Sequence, residues 1–307
     1  MTASPTDPSS SQTGALHIEI GTDGSIDDHT AGELITLTLF DLGADAVGES
    51  EAESALVLTA GFATADQAEA AKRRVDALHD SWVARSFVEA VSNAGWVEAQ
   101  RAGLEPTVIG DWHIRAPWHP EPDGVEPIYD IVIDPGAAFG HGAHPTTRMT
   151  IELMLEHLTP ATAPNTTVVD LGTGTGVAAI IAARLGARVR AIEIDPAALD
   201  AAWFNIERNS AHPFDDVHML IDLLQGDAAQ ATIKPSELVL VNMTLDVQRV
   251  VAERASMADR VVASGVLHRQ IEQLLDLYFG HEPITIDSSG EWAAVKFSKT
   301  DHMGRKN

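Results

Sequence analysis

The second half of the chain alternates short apolar runs with longer segments of helical spacing. An apolar run at 168–171 is followed by helical spacing over 178–185, and a second apolar run covers 189–194. Short apolar runs separated by segments of helix length indicate strand–helix–strand units with parallel strands. We therefore predict a doubly wound α/β domain, with further helices over 147–158 and 197–209 and further strands over 128–133 and 238–241.

The first half has a different pattern, in which strands and helices alternate over a shorter span. Residues 16–20 alternate apolar and polar side chains like a half-buried strand, and residues 28–42 follow with helical spacing that ends at Gly43. This interleaving predicts a compact α+β sandwich. Its other predicted elements are a strand over 55–59, a helix over 65–78, one or two helices over 81–99 and a strand over 112–116.

Proline and glycine mark the boundary between these two regions. Pro117, Pro120, Pro122, Gly124 and Pro127 cluster as they do in interdomain linkers. The polar start of the chain, rich in Ser, Thr and Pro, predicts a disordered tail. The predicted organisation is a tail over 1–14, an α+β domain over 15–116, a linker over 117–127 and an α/β domain over 128–303.

Composition narrows the function classes. The 307 residues include no cysteine, which excludes disulfides, thiolate catalysis and cysteine-ligated zinc. Hydrophobic residues make up 45% of the chain, enough for ordinary cores, but no run reaches the roughly eighteen apolar residues of a membrane span. A net charge of −25 repels nucleic-acid phosphates and favours a basic partner. We expect a cytoplasmic protein that binds neither membrane nor nucleic acid directly.

The strongest motif overlaps the apolar run at 168–171, where Asp170 precedes glycines at 172, 174 and 176. Glycines at alternate positions permit positive φ and let a ligand lie against the main chain, so this turn predicts a nucleotide-type site. A dinucleotide fingerprint begun at Gly172 needs Gly or Ala at the position of Val177. The spacing with its leading acid instead resembles the first motif of S-adenosylmethionine-dependent methyltransferases. An ordinary glycine-rich turn is the alternative.

Further acids extend this predicted site. Glu193 ends the strand after the glycine loop, where a carboxylate can accept hydrogen bonds from both hydroxyls of a ribose. Asp195 competes for that role, but the Pro196 that follows it favours a helix N-cap. Asp227 follows a third apolar stretch, where it could accept from an adenine amino group or be a simple turn residue.

A second glycine-rich loop spans 134–147, between a predicted strand and a predicted helix. Phe139 offers a ring that can pack on a flat group or a thioether. Thr147, or the threonine before it, can cap the helix and bind a ligand carboxylate at its positive end. His141 and His144 could also form a metal site with the acid that opens the loop. That alternative is weaker, because a third clear ligand and helical spacing are both missing.

The two loops together resemble a known family. Residues 134–147 read Asp-Pro-Gly-Ala-Ala-Phe-Gly-His-Gly-Ala-His-Pro-Thr-Thr, and the glycine loop follows, as in the methyltransferases that modify large-subunit ribosomal protein L11. The resemblance runs from about residue 30 to near residue 298. Further matching segments, in the family's order, are 96–99, 106–110, 117–118, 193–196, 207–209, 241–242, 264–267 and 290–292.

The resemblance implies a fold and a set of roles. It implies a ferredoxin-like α+β domain that grips the ribosomal protein, followed by a Rossmann-like class I methyltransferase domain with a mostly parallel sheet. This second domain would bind S-adenosylmethionine and methylate lysine ε-amino groups and an N-terminal α-amino group. The implied cofactor-binding residues are Asp170 and Gly172 and Gly174 at the methionine and ribose, Glu193 at the ribose hydroxyls, Asp227 at the adenine, and Phe139, Gly140, His144 and Thr147 closing over the cofactor.

Asn242 is the candidate catalytic residue. It follows the predicted strand 238–241, and open α/β sheets place their chemistry at the carboxyl ends of strands. The resemblance implies that its side-chain carbonyl aims an amine lone pair at the sulfonium methyl. Because methyl transfer needs a neutral amine in line with a carbon that the cofactor has activated, no catalytic base need be encoded. A turn residue that ends a strand is the alternative.

These observations predict an S-adenosylmethionine-dependent protein methyltransferase whose leading substrate is a basic ribosomal protein of the large subunit. His141 and Ala143 stand where the family usually has threonines, and Glu193 replaces the commoner aspartate. A methyltransferase of the same fold that acts on another protein or a small amine therefore stays open. The remaining alternative is a homologue that binds the cofactor without catalysing transfer. The presence of the candidate catalytic residue Asn242 argues against it.

Overall fold

The structure is a computed structural model that describes residues 12–44, 46–52, 55–62, 64–92, 104–136, 138–210 and 217–300. The chain divides into two compact units, one ending at Leu104 and the other beginning at Glu105. Residues 1–11 of the predicted tail and the matching segment 96–99 lie outside the described residues. No helix in the described ranges is both long enough and apolar enough to cross a bilayer.

The first unit contains a four-stranded antiparallel sheet and two helices. Its strand order is β2-β3-β1-β4, and the sequence of elements is βαββαβ. This is the topology of a ferredoxin-like fold, as predicted. The elements are β1 (Gln12–Ile20), α1 (Asp28–Asp41), β2 (Ala46–Ala52), β3 (Ala55–Phe62), α2 (Ala65–Leu78) and β4 (Val83–Ser92).

The apolar periods explain how this unit is held together. Leu16 and Ile18 on β1 belong to one buried cluster with Ile35 and Leu39 on α1. The strand residues are two apart and the helix residues four apart, so each element presents one apolar face. Each such side chain contributes about 1.5–3 kcal/mol when fully buried. The residues between them, such as His17 and Thr38, are only half-buried.

Two elements of the first unit differ from the predictions. Residues 83–92 form strand β4, whereas the sequence predicted helices over 81–99, of which residues 93–99 are not described. The strand pairs with β1 along its length, for example Phe87 with His17, and this distant partner satisfies the backbone hydrogen bonds. Strand β2 was not predicted because its sequence, Ala-Val-Gly-Glu-Ser-Glu-Ala, lacks a clear apolar alternation and carries two glutamates, as edge strands tolerate.

The second unit is built on a seven-stranded sheet. Its strand order is β10-β9-β8-β11-β12-β14-β13, in which the first five strands run parallel and β14 is antiparallel to both neighbours. This is a doubly wound α/β domain, as predicted. The elements are β5 (Thr107–Ile109), β6 (Trp112–Arg115), β7 (Asp130–Val132), α3 (Pro145–Leu155), β8 (Thr167–Leu171), α4 (Val177–Arg184), β9 (Arg188–Glu193), α5 (Pro196–Asn209), α6 (Val217–Leu220), β10 (Ile221–Gln225), β11 (Leu238–Asn242), α7 (Leu245–Ala255), β12 (Arg260–Leu267), α8 (Ile271–Leu277), β13 (His281–Ser289) and β14 (Trp292–Lys299).

The start of the second unit lies earlier in the chain than the sequence suggested. Strand β6, assigned above to the domain 15–116, pairs in parallel with β7 of the second unit. Arg115 on β6 donates two hydrogen bonds to the Asp130 carboxylate, both 2.8 Å long, which ties the pair together. The proline-rich segment 117–127 therefore connects two paired strands within this unit. Prolines mark a turn-rich connection equally well in either place, so composition alone misplaced the boundary.

Candidate functional site

The candidate site lies where neighbouring parallel strands end. Strands β9, β8 and β11 are adjacent, so Glu193, the glycine loop after Leu171, and Asn242 all emerge at the same edge of the sheet. Strand order reverses at β8: the chain proceeds from β8 to β9 and β10 on one side, then returns to β11 on the other. In open α/β sheets the crevice at such a reversal is where ligands bind.

The glycine loop takes a left-handed conformation at all three of its glycines. Gly172, Gly174 and Gly176 have φ values of 68°, 54° and 81°. A Cβ on Gly174 would lie 2.4 Å from the carbonyl oxygen of Phe139, which is a backbone atom that cannot swing aside. The N–H groups of Gly172 and Thr173 both donate to the carbonyl of Ile192. The loop is thus held in a narrow space between β9 and the 134–147 loop.

Two carboxylates flank the glycine loop. Glu193 accepts from the N–H of Gly174 at 3.0 Å through Oε2 and from the N–H of Ile194 at 2.8 Å through Oε1. Asp170 is buried and accepts from the Thr173 hydroxyl at 2.6 Å. Burial raises the pKa of Asp170 to about 6, the Thr173 hydrogen bond opposes this, and the negative charge of Glu193 adds to it. The pair therefore forms a negative region that favours a ligand with cationic or hydroxyl groups.

The 134–147 loop crosses the glycine loop and is bonded to it. The Thr175 hydroxyl donates to the carbonyl of Gly140 at 2.6 Å, and the Thr175 N–H donates to the carbonyl of Phe139 at 3.1 Å. The Phe139 ring meets the His144 ring edge to face at 4.9 Å, and His144 meets Trp292 of β14 at 5.1 Å. Phe139, Gly140 and His144 are therefore brought beside the glycine loop as a group.

His144 also begins helix α3. Its Nδ1 accepts from the backbone N–H of Thr146, so it serves as the N-cap. The next residue, Thr147, lies in the first turn, and its hydroxyl accepts from the Nδ2 of Asn242 at 3.3 Å. Because Nδ2 points at Thr147, the amide orientation leaves Oδ1 as the acceptor that Asn242 can offer to a ligand. Residues 95 positions apart thus form one polar pair at the sheet edge.

The remaining predicted acids take capping positions. Asp195 accepts from the N–H of Ala197 at 2.9 Å and is the N-cap of α5, which confirms the alternative favoured for it. Asp227 is exposed and accepts from the N–H of Ala229 at 2.9 Å, capping a short 3₁₀ helix. Asp227 follows β10 and lies beside Glu193, because the N–H of Gly226 donates to the carbonyl of Glu193. Its contact with adenine stays a prediction.

No group of three or more metal-binding side chains converges anywhere in the described ranges. His141 is held in the loop, where burial lowers its pKa and favours the neutral imidazole.

Sequence reasoning missed a buried residue that organises the site. Asn205 on α5 donates from Nδ2 to the carbonyls of Asp134 and Thr175, at 2.9 and 3.0 Å, and accepts from the N–H of Asp134 at 2.8 Å. Asn205 therefore joins the start of the 134–147 loop to the glycine loop. Asn209, four residues on, bonds both backbone groups of Val132 in the same way. The sequence feature that could have revealed these residues is a pair of asparagines four positions apart on the apolar face of a helix, since buried polar side chains need hydrogen-bond partners.

Comparison with known proteins shows which family this sequence resembles. Residues 19–300 match the family described as ribosomal protein L11 methyltransferase (PrmA). A ribosomal protein L11 methyltransferase of Cupriavidus taiwanensis is 35% identical over 214 residues, which are 68% of this chain and 67% of that protein. One from Thermus thermophilus is 31% identical over 218 residues, 69% of this chain and 80% of that protein.

A solved structure shares the fold. The crystal structure of a ribosomal protein L11 methylase from Lactobacillus delbrueckii subsp. bulgaricus superposes with a TM-score of 0.52 and 21% sequence identity. The match covers 64% of this chain and the whole of that chain.

Proposed function

Because the chain belongs to the ribosomal protein L11 methyltransferase family, we propose that it transfers methyl groups from S-adenosylmethionine to ribosomal protein L11. The acceptors are lysine ε-amino groups and the N-terminal α-amino group. The observation that carries the proposal is the Asn242–Thr147 pair, which lies at the same sheet edge as the glycine loop and its two acids.

The glycine loop fits the proposed cofactor. A Cβ on Gly174 would meet the Phe139 carbonyl, so glycine here lets the 134–147 loop pack directly on the glycine loop, with backbone N–H groups left at the sheet edge for the cofactor. Asp170 and Glu193 supply negative charge and acceptors for the ammonium, sulfonium and ribose hydroxyl groups of S-adenosylmethionine. When bound, the cofactor supplies a methyl carbon already activated toward nucleophiles. The residues proposed to hold it are Asp170, Gly172, Gly174, Glu193 and Asp227, with Phe139, Gly140, His144 and Thr147 covering it.

Asn242 is proposed to orient the acceptor amine. Its Oδ1 accepts one N–H of a neutral amine, which directs the nitrogen lone pair away from Oδ1. Thr147 keeps the amide in that orientation by accepting from Nδ2. A lysine that enters this edge loses water, which lowers its pKa and favours the neutral amine. Orientation and desolvation together are large enough to account for most of the rate, so no side-chain base is assigned.

The charge balance supports a basic protein substrate. The chain has 45 acidic and 20 basic residues, so its field attracts cationic partners and repels nucleic acid. We propose that it acts on L11 in the cytoplasm and does not require direct contact with RNA.

The test is a methylation assay on purified L11 with a labelled methyl donor, followed by mass spectrometry of the product. We expect added methyl groups on lysine and on the N-terminal amine, and no comparable labelling of free small amines. Ribosomal proteins from cells with and without this chain provide the matched comparison. Transfer to small amines but not to L11 would contradict the substrate, and cofactor binding without transfer to any amine would contradict the activity.

A further inference from the structure

A buried hydrogen-bond network lies directly behind Asn242. Gln248, in the first turn of α7, is fully buried and donates from Nε2 to the carbonyls of Met243 and Ser264, at 2.9 and 2.7 Å. Its Oε1 accepts from the Tyr278 hydroxyl at 3.1 Å. Both amide hydrogens and the amide oxygen are therefore engaged, so the Gln248 side chain has one orientation. We name Gln248, Ser264 and Tyr278 the Gln248 network.

The network also reaches the start of α3. Ser264 is the partner of Asn242 in the parallel register of β11 and β12. Its hydroxyl donates to the carbonyl of Thr146 at 3.1 Å, and Thr146 directly precedes the residue that accepts from Asn242. Ser264 is therefore paired with Asn242 on β11 and is also bonded to Thr146, the neighbour of Thr147 on α3. It links the two elements that carry the Asn242–Thr147 pair.

The main chain at this place is irregular. Gly265 has a φ of 86°, and a Cβ there would lie 2.5 Å from the carbonyl oxygen of Met243. The register between β12 and β14 shifts between Ala263 and Val266. Gln248 donates to the carbonyl of Met243, just after β11, and to the carbonyl of Ser264 on β12, which also accepts from the Met243 N–H at 3.1 Å. These hydrogen bonds hold the turn after Asn242 in one conformation.

We propose that Gln248 and Ser264 are positioning residues for methyl transfer, which set the placement of Asn242 relative to Thr147 without touching cofactor or substrate. This inference rests on the proposed function. A small displacement of an orienting group lowers the rate of the chemical step while binding contacts elsewhere persist. A positioning role therefore lowers kcat and leaves the cofactor Kd and the KM for L11 nearly unchanged.

The sharpest test compares two hydroxyls that donate to the same carbonyl. Thr150 donates to Thr146 O at 2.8 Å from within α3, whereas Ser264 donates from β12. Ser264→Ala should lower kcat on L11 by about tenfold, equivalent to roughly 1.4 kcal/mol, and leave KM within about twofold. Thr150→Val removes an equivalent hydrogen bond without uncoupling β12 from α3, so its kcat should stay within about twofold of wild type. Ser264→Thr, which keeps the hydroxyl, should recover most of the rate.

The same substitution in a protein that already lacks Asn242 distinguishes a positioning role from a general loss of structural order. In an Asn242→Ala protein, adding Ser264→Ala should cost no further kcat, because the group being positioned is gone. Gln248→Met, which keeps the length and removes the donors, should reproduce the effect of Ser264→Ala in the wild-type background. The same loss of rate in both backgrounds, or equal losses for Ser264→Ala and Thr150→Val, would overturn the inference. A wild-type protein that transfers no methyl group to L11 would instead overturn the proposed function.

Discussion

The two sides of the candidate site are built by different means. On the cofactor side, the glycine loop is shaped by its main chain, with left-handed glycines and backbone N–H groups bonded to Ile192 and Glu193. On the amine side, Asn242 is placed by side chains, namely Thr147 in front and the Gln248 network behind. A side chain added on the first side forces the glycine loop and the 134–147 loop apart, whereas hydrogen bonds on the second side can be removed one at a time. Substitutions in the glycine loop should therefore abolish cofactor binding outright. Substitutions around Asn242 should lower kcat in smaller steps.

The largest effect is expected at the glycine loop. Gly174→Arg should weaken S-adenosylmethionine binding by more than about 100-fold, because any side chain there meets the Phe139 carbonyl at 2.4 Å. Gly124→Arg is the matched control, since Gly124 is also left-handed but has no atom within 4 Å of an added Cβ. Isothermal calorimetry measures both affinities, and circular dichroism checks the fold. Equal affinity in the two variants would show that the cofactor does not bind at this loop.

Asn242→Ala tests the other side. We expect the cofactor Kd to stay within about twofold of wild type and kcat on L11 to fall by roughly 100-fold, because the amine loses its orienting acceptor. Asn165→Ala, at an exposed asparagine before β8, serves as the control. A fall in cofactor affinity that matches the fall in rate would mean that Asn242 belongs to the cofactor side.

Asp170→Asn tests the charge of the loop separately from its shape. The Asp170 pKa is raised to about 6, mainly by burial, so ionising this carboxyl costs more free energy in the folded protein than in the unfolded chain. The stability that this group contributes is fully present below its unfolded pKa near 4 and is lost as pH rises through about 6. The variant should therefore be more stable than wild type at about pH 7.5, by on the order of 2 kcal/mol, and lose this advantage near pH 4. Urea unfolding of both proteins at the two pH values measures this, and an advantage that does not change with pH would contradict it.

The smallest effect is expected from Thr147→Val, which keeps the volume of the side chain and removes the hydroxyl that accepts from Asn242. We expect kcat to fall by about tenfold, since Asn242 remains but its amide is free to turn. Thr147→Ser, which retains the hydroxyl, should stay within about threefold of wild type. Steady-state kinetics on L11 measure both. If the valine and serine variants are equally slow, the methyl group of Thr147 matters and the hydrogen bond does not.

Local patterns predicted much of the α/β unit. The apolar run before Asp170, the helix after Gly176 and the N-cap at Asp195 each depend on neighbours within a few residues, and the structure contains all three. The predicted bounds of the helices in this unit were within three residues of the observed ones. Such features were predictable because strand burial, glycine conformations and capping are short-range effects.

The misplaced features all depend on partners distant in the chain. Residues 83–92 became a strand because β1 pairs with them, and 112–115 joined the second unit because β7 does. The roles of Asn205 and Gln248 were invisible for the same reason, since each bonds to backbone groups on other elements. The local sequence around a polar residue in a helix does not indicate which distant carbonyl its side chain will bond.

By itself, the sequence determined the ingredients of this protein: alternate glycines after an acid, carboxylates at strand ends, and an asparagine after an apolar run. The tertiary structure alone decided that Asn242 meets Thr147 and that one glutamine holds the turn behind them. The physical reason is that backbone conformation follows from adjacent residues, whereas the meeting of two side chains far apart in sequence follows from the order in which strands pair.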